Sequence, residues 1–165
     1  MKTVISAMNN HVRFFLNNYL VIVQDEVIGI WEKYKQTKNY HNESFGALIG
    51  SRDEANKTFW IESCTTPRPQ DSATRTGFVM RDSFHQHEVE TSFHATNGLW
   101  GYIGTWHTHP EPDPIPSSID INDWLECSVR NPDRFLFFFI VGTAQTRAFM
   151  KVDNKFIRMN MGGEL

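Results

Sequence analysis

Apolar and polar positions alternate in short blocks along the chain, and the period changes from block to block. VRFFLN, residues 12–17, reads as a first strand. Leu20, Val23, Val27, Ile30, Trp31 and Tyr34 then recur three or four apart, which predicts an amphipathic helix over 19–36. FGALIG and KTFWIESC, separated by the polar SRDEAN, predict a strand hairpin. TTPRPQDSATRTG reads as a loop, because its prolines block regular structure, and GFVMRD as a short strand. SFHQHEVETSFHATNG predicts a helix ended by Gly98. LWGYIGTWHTH is aromatic and β-branched, hence a strand. PEPDPIP is a loop, and SSIDINDWLECSVRN is a helix that stops near Pro132. RFLFFFIVGT and RAFMKVD predict late strands joined around GTAQT.

The order helix, strands, helix, strand, helix, strands predicts an α/β (α+β) domain with a mixed, curved sheet flanked by helices. No repeat, low-complexity tract or linker divides the 165 residues, so a single domain over 1–165 is expected.

Composition narrows the function classes. Apolar residues make up 40% of the chain, enough for a real core. The net charge is -3 and Lys and Arg are scattered, so charge points to neither nucleic acid nor an anionic membrane. The first twenty residues lack a continuous apolar stretch and a cleavage site, and FLFFFIV is too short to span a bilayer. A cytoplasmic protein is expected. Its two cysteines, Cys64 and Cys127, form no CxxC pair and read as buried free thiols. The end, MGGEL, carries the diglycine Gly162-Gly163; a flexible terminus is the simplest reading.

The candidate chemistry lies in GTWHTHPEPDPIPSSIDINDW, residues 104–124. Side chains at i and i+2 of a strand share a face, so His107 and His109 would project side by side and Trp106 and Thr108 the other way. Asp120, one turn into the next helix, can supply a third ligand. Two imidazoles and a carboxylate suit zinc and leave a fourth position for water. Ser117 and Asp120 also read as the start of a capping box, which does not exclude a metal. HQH, residues 85–87, is a second HxH. On a helix its side chains diverge, and no matched carboxylate follows, so His85 and His87 read as surface or groove residues.

His107, Thr108, His109, seven residues, Ser117, two residues and Asp120 reproduce HxHx7SxxD, the motif of the JAB/MPN (JAMM) metalloproteases, which this chain resembles. ESFGALIG, residues 43–50, is similar to the family's E-x-G-G-x-L-x-G segment, with Phe45 where glycine is common. The resemblance runs over a motif-bearing core of about 14–152 and implies one zinc ion with a bound catalytic water, held by His107, His109 and Asp120. It implies Glu43 as the proton shuttle and Ser117 as donor to the oxyanion.

The compact length and GYIGTWHTHP are most similar to bacterial stand-alone members from anti-phage (CBASS) operons that also encode an E1/E2-like ligase. That likeness implies cleavage after the C-terminal residue of a conjugated cGAS-like cyclic-nucleotide synthase. Processing of a ubiquitin-like protein or its conjugates, or a non-catalytic MPN interaction module, are the alternatives. The DNA-repair-associated RadC-like proteins share HxHx7SxxD, but they would predict a basic stripe that is absent here. A cysteine hydrolase built on Cys127 lacks a paired histidine. An extended substrate tail would lie between loops 65–76 and 110–116, with Phe78, Trp100 and Trp106 as groove aromatics or core; burial statistics favour core.

Overall fold

The computed structural model describes residues 11–162. The reading of the first residues as free of a leader lies largely outside it, as does Gly163.

Eleven strands and three helices are present among the described residues. They are β1 Val12–Leu16, β2 Tyr19–Val23, α1 Asp25–Tyr34, β3 Phe45–Asp53, β4 Thr58–Cys64, β5 Ser72–Thr74, β6 Gly77–Val79, α2 Ser83–Ala95, β7 Gly101–Thr108, α3 Ser118–Arg130, β8 Phe137–Val141, β9 Thr146–Val152, β10 Lys155–Arg158 and β11 Asn160–Gly162. Nine strands form one mixed sheet in the order β10-β9-β8-β7-β3-β4-β2-β1-β11; β5 and β6 form a separate hairpin. Register shifts at Leu48/Ile49 against β7 and Ile49/Gly50 against β4 bend the sheet around β3.

The expected helix over 19–36 is shorter than its pattern. Residues 19–23 form β2, paired antiparallel with β1 and parallel with β4, and only 25–34 are helical. In YLVIV the alternation that buries Val21 and Val23 overrides the three-or-four spacing. The turn between β1 and β2 uses Asn17 at φ 53°, which asparagine tolerates. Two further strands, β10 and β11, follow RAFMKVD. Gly162 closes β11 opposite Arg13. The loop after β4 contains the β5–β6 hairpin, which falls beyond its two prolines.

Helices cover both faces of the sheet. Trp31 and Val27 of α1 join Trp106, Ile103 and Phe139 in one core. Trp124 and Cys127 of α3 join Phe138, Ile140 and Phe149 in another. Trp106 is therefore core. Its indole packs 6.2 Å from Trp31 and donates to the Thr65 carbonyl at 2.9 Å. Gly46 makes this approach possible: a Cβ there would stand 1.9 Å from that carbonyl oxygen. Cys127 is buried as expected and Cys64 is half-buried, and both are free thiols. No described helix is long and apolar enough to cross a membrane.

β7 and β8 are parallel, joined by a crossover through α3. The carboxyl end of β7 and the start of α3 therefore meet at one edge of the sheet. In crossover folds, clefts at such strand ends hold ligands.

Candidate functional site

His107 is the penultimate residue of β7, opposite Phe45 of β3, and His109 follows the strand while its N–H still bonds the Val141 carbonyl at 3.1 Å. Backbone extension thus persists through both histidines and their rings share a face. Thr108 points the other way, where its hydroxyl donates to Gln36 Oε1 at 2.8 Å.

The return of the chain is held at several points. Thr143 N–H bonds the Glu111 carbonyl at 2.9 Å and Gln145 N–H the Pro112 carbonyl at 2.8 Å. Arg147 donates twice to Asp113, at 2.6 and 2.9 Å. Ser117 then caps α3: its Oγ accepts from Asp120 N at 3.1 Å, and Asp120 Oδ2 accepts from Ser117 N at 2.7 Å. This capping box sets the Asp120 carboxylate over the two imidazoles.

The three side chains converge. His107 Nε2 and His109 Nε2 are 3.1 Å apart, and each lies 3.2 Å from an Asp120 oxygen, Oδ1 for His107 and Oδ2 for His109. A tetrahedral ion with bonds of about 2.0–2.1 Å sets its ligand atoms about 3.3 Å apart. The residues present fit one such ion. All three are buried. Burial holds the His107 imidazole below its ordinary pKa, against the pull of Asp120. Burial also lowers His109, but Asp120 and Glu111 outweigh it and lift that ring to about 8. Asp120 stays far below the usual carboxylate range, because the histidine bonds overcome its burial.

Glu43 precedes β3 by two residues, and its Oε1 is 3.9 Å from His109 Nε2. Its backbone N–H bonds the Thr74 carbonyl at 2.8 Å, and Ser44 exchanges bonds of 2.9 Å with Thr108 through N–H and carbonyl. It is 5% exposed, not a solvated loop carboxylate. Burial lifts its carboxyl to about 8; His109 pulls it back and Asp120 adds to the rise. Ser117 is exposed, and because its oxygen accepts from Asp120 N its hydroxyl proton can point elsewhere.

Two neighbours escaped the sequence reading. Glu111 Oε1 accepts from His109 Nδ1 at 2.9 Å and from Ile115 N at 2.8 Å. It leaves Nε2 of His109 as the nitrogen with a free lone pair. Gln36, 2% exposed at the end of α1, holds Thr108 and the Arg75 carbonyl. A carboxylate two residues beyond His109 was a usable signal; nothing near Gln36 was. Phe45 also gains an account: its ring stacks on Phe78 of β6 at 4.3 Å, and Phe78 lies 5.3 Å from the His107 ring. Phe78 is thus a wall of the site, where a cavity of about 330 Å³ opens beside His107 and Asp120.

The second histidine pair falls where surface or groove residues were expected, with His85 lining a cavity of about 650 Å³, but a carboxylate does meet it. His87 is exposed, but His85 is buried, with Nδ1 2.6 Å from Thr65 Oγ1 and Nε2 2.7 Å from Asp71 Oδ2. The carboxylate comes from upstream, across the 65–82 excursion, which a search downstream could not find. Asp71 also accepts from the backbone of Arg68, Arg81 and Asp82. Burial alone would raise its carboxyl, but these donors hold it below the usual range.

Residues 33–153 match the family model of prokaryotic homologs of the JAB domain. A CD-NTase/cGAS isopeptidase of Escherichia coli (strain TW11681) is 36% identical over 120 residues, 72% of this chain and 76% of that protein. One from Vibrio cholerae serotype O1 is 32% identical over 123 residues, 74% and 76%. The solution structure of protein DSY2949 from Desulfitobacterium hafniense shares the fold, with a TM-score of 0.59 at 19% identity, over 82% of this chain and 87% of that one.

Proposed function

The chain belongs to the prokaryotic JAB-domain family, and from that premise we propose that it is a cytoplasmic zinc-dependent isopeptidase. Its substrate is a cGAS-like cyclic-nucleotide synthase joined through its C-terminal residue to a target by E1/E2-type conjugation in anti-phage defence. The observation that carries this reading is the triangle of His107, His109 and Asp120 with the buried Glu43 beside it. The relatives named CD-NTase/cGAS isopeptidase support the substrate class.

Zinc held by the three residues would supply Lewis acidity, lowering the pKa of a coordinated water to about 7. His107 and His109 present Nε2, and Glu111 keeps the His109 ring in that tautomer and orientation. Glu43 takes the water proton on a carboxylate oxygen as the new C–O bond forms. It returns that proton to the lysine amine as the C–N bond breaks. Burial raises that carboxyl in the metal-free chain, and a zinc ion held beside it would draw it back down, toward the range in which one carboxylate can both take and return a proton. Ser117 donates a hydrogen bond from its hydroxyl to the carbonyl oxygen as negative charge develops there, and keeps its proton. Phe45 and Phe78 exclude water on the β6 side.

The test uses the purified chain and a cGAS-like synthase isopeptide-linked to a reporter protein. Release of the reporter should stop with a zinc chelator and return with added zinc. Release that persists after complete zinc removal contradicts the reading.

A further inference from the structure

Glu43 and the two histidines are held in different ways. His107 pairs with Phe45 of β3 and Ile140 of β8, and His109 N–H bonds the Val141 carbonyl. Strand ladders thus fix the histidines through their own backbone. Glu43 has no ladder, because residues 35–44, between α1 and β3, form neither helix nor strand.

The ties around Glu43 lead back to one side chain, that of Gln36. Its Nε2 donates to the His41 carbonyl at 3.2 Å, two residues before Glu43, and to the Arg75 carbonyl at 2.9 Å. Arg75 follows Thr74, whose carbonyl accepts from Glu43 N–H. Gln36 Oε1 accepts from Thr108 Oγ1 at 2.8 Å, and that hydroxyl accepts from Ser44 N–H at 2.9 Å, one residue after Glu43. The partners decide how the amide is turned. Carbonyls only accept, so Nε2 must face them, and the Thr108 proton is left for Oε1. An ionised glutamate would have no donor for the carbonyls, and asparagine is one methylene shorter. Gln36 is 2% exposed, so each lost bond would leave a buried polar group without a partner.

Thr108 points away from the two imidazoles, so Gln36 lies behind the strand and acts on the reaction only through what it holds. We infer that Gln36 is the positioning residue of the proton shuttle: its amide ties the Glu43 segment, the β5–β6 hairpin and the end of β7 together, and so sets Glu43 against the metal position. This rests on the isopeptidase reading above. A reacting group misplaced by about 1 Å can slow a step about a hundredfold, so a residue remote from the chemistry can govern its rate.

Two variants cut this hub at different points. Gln36→Met keeps the length of the side chain and loses all three bonds, whereas Thr108→Val leaves both carbonyls bonded to Gln36 and frees Oε1. Thr108→Val decides the matter should Gln36→Met fail to fold. The first readout is amide hydrogen exchange in the metal-free chain, followed by NMR. Neither variant removes the acceptor of Glu43 N–H, yet that amide should lose at least about tenfold of its protection in both, while His109 N–H keeps its own. Unchanged exchange at Glu43, or an equal loss across the whole sheet, overturns the proposal.

The second readout is single-turnover cleavage at saturating conjugate, with one zinc per chain confirmed. Gln36→Met alone should slow it about 10–100-fold. Added to Glu43→Ala, it should leave the residual rate unchanged, because a residue that acts through Glu43 then has nothing left to position. Equal slowing in both backgrounds overturns the proposal and leaves the isopeptidase reading standing. Local loss of protection at Glu43 in a protein that cleaves no conjugate does the opposite.

Discussion

Two stretches of this chain read HxH, and they end in different chemistry. HTH, residues 107–109, lies on extended backbone, so both rings face one way and their Nε2 atoms stand 3.1 Å apart. HQH, residues 85–87, lies in the first turn of α2, so one ring is buried and the other exposed. Both places hold a carboxylate within reach. The decisive difference is where the ring nitrogens are used. His85 spends both on protein partners, Thr65 and Asp71, and has no lone pair left to offer. His109 spends Nδ1 on Glu111 and leaves Nε2 turned toward His107 and Asp120. A histidine pair thus becomes a metal candidate through the element that carries it and through what its outer nitrogens already bond.

Substitutions sharpen this contrast. The largest effect is expected from His107→Ala or Asp120→Ala. Each should remove zinc from the purified protein and cut isopeptide cleavage by at least about a thousandfold, whereas His87→Ala should leave zinc content and rate unchanged. Metal analysis beside a cleavage assay checks both. His85→Ala should reverse that profile. Thr65 and Asp71 lose their partner, so chemical denaturation should show a loss of about 3 kcal/mol, with one zinc still bound per chain. Loss of zinc in that variant would break the contrast.

Glu111→Ala should keep the fold and weaken zinc binding about 10–100-fold, measured by competition with a chromophoric chelator. The smallest effect is that of pH. Because the His109 pKa is raised to about 8 in the metal-free chain, its ring carries a proton below that value. Zinc must displace that proton, so apparent affinity should fall as pH drops below about 8, by up to about tenfold per unit. The same titration of chelator competition reads it.

Much of this was legible in the sequence because strong local rules coincide there. Apolar, aromatic and β-branched runs placed β3, β4 and β7, and α2 ends at Ala95, just before Asn97 and Gly98 turn the chain at positive φ, three residues short of the expected stop at Gly98. The prolines and Ser117 marked the loop and the helix start, so the motif spacing carried its own geometry. The parts that were not legible depend on distant partners. Residues 19–23 satisfy a helical spacing, yet the ladders with β1 and β4 decide for a strand. His85 finds Asp71 across a fold of the chain that no local pattern records. Glu111 was within sight but needed the direction of the His109 ring, and Gln36 needed the packing of α1 against β7. Phe45, a departure in a glycine-rich segment, makes sense only with Phe78 stacked on it.

In the proposed mechanism Glu43 moves the proton while His107, His109 and Asp120 hold the metal. Single-turnover cleavage of the synthase conjugate, with zinc content measured on the same samples, tests it most directly. Glu43→Ala should retain one zinc per chain and cleave about 10²–10⁴-fold more slowly than wild type. A Glu43→Ala protein that keeps its zinc and cleaves as fast as wild type would contradict the account.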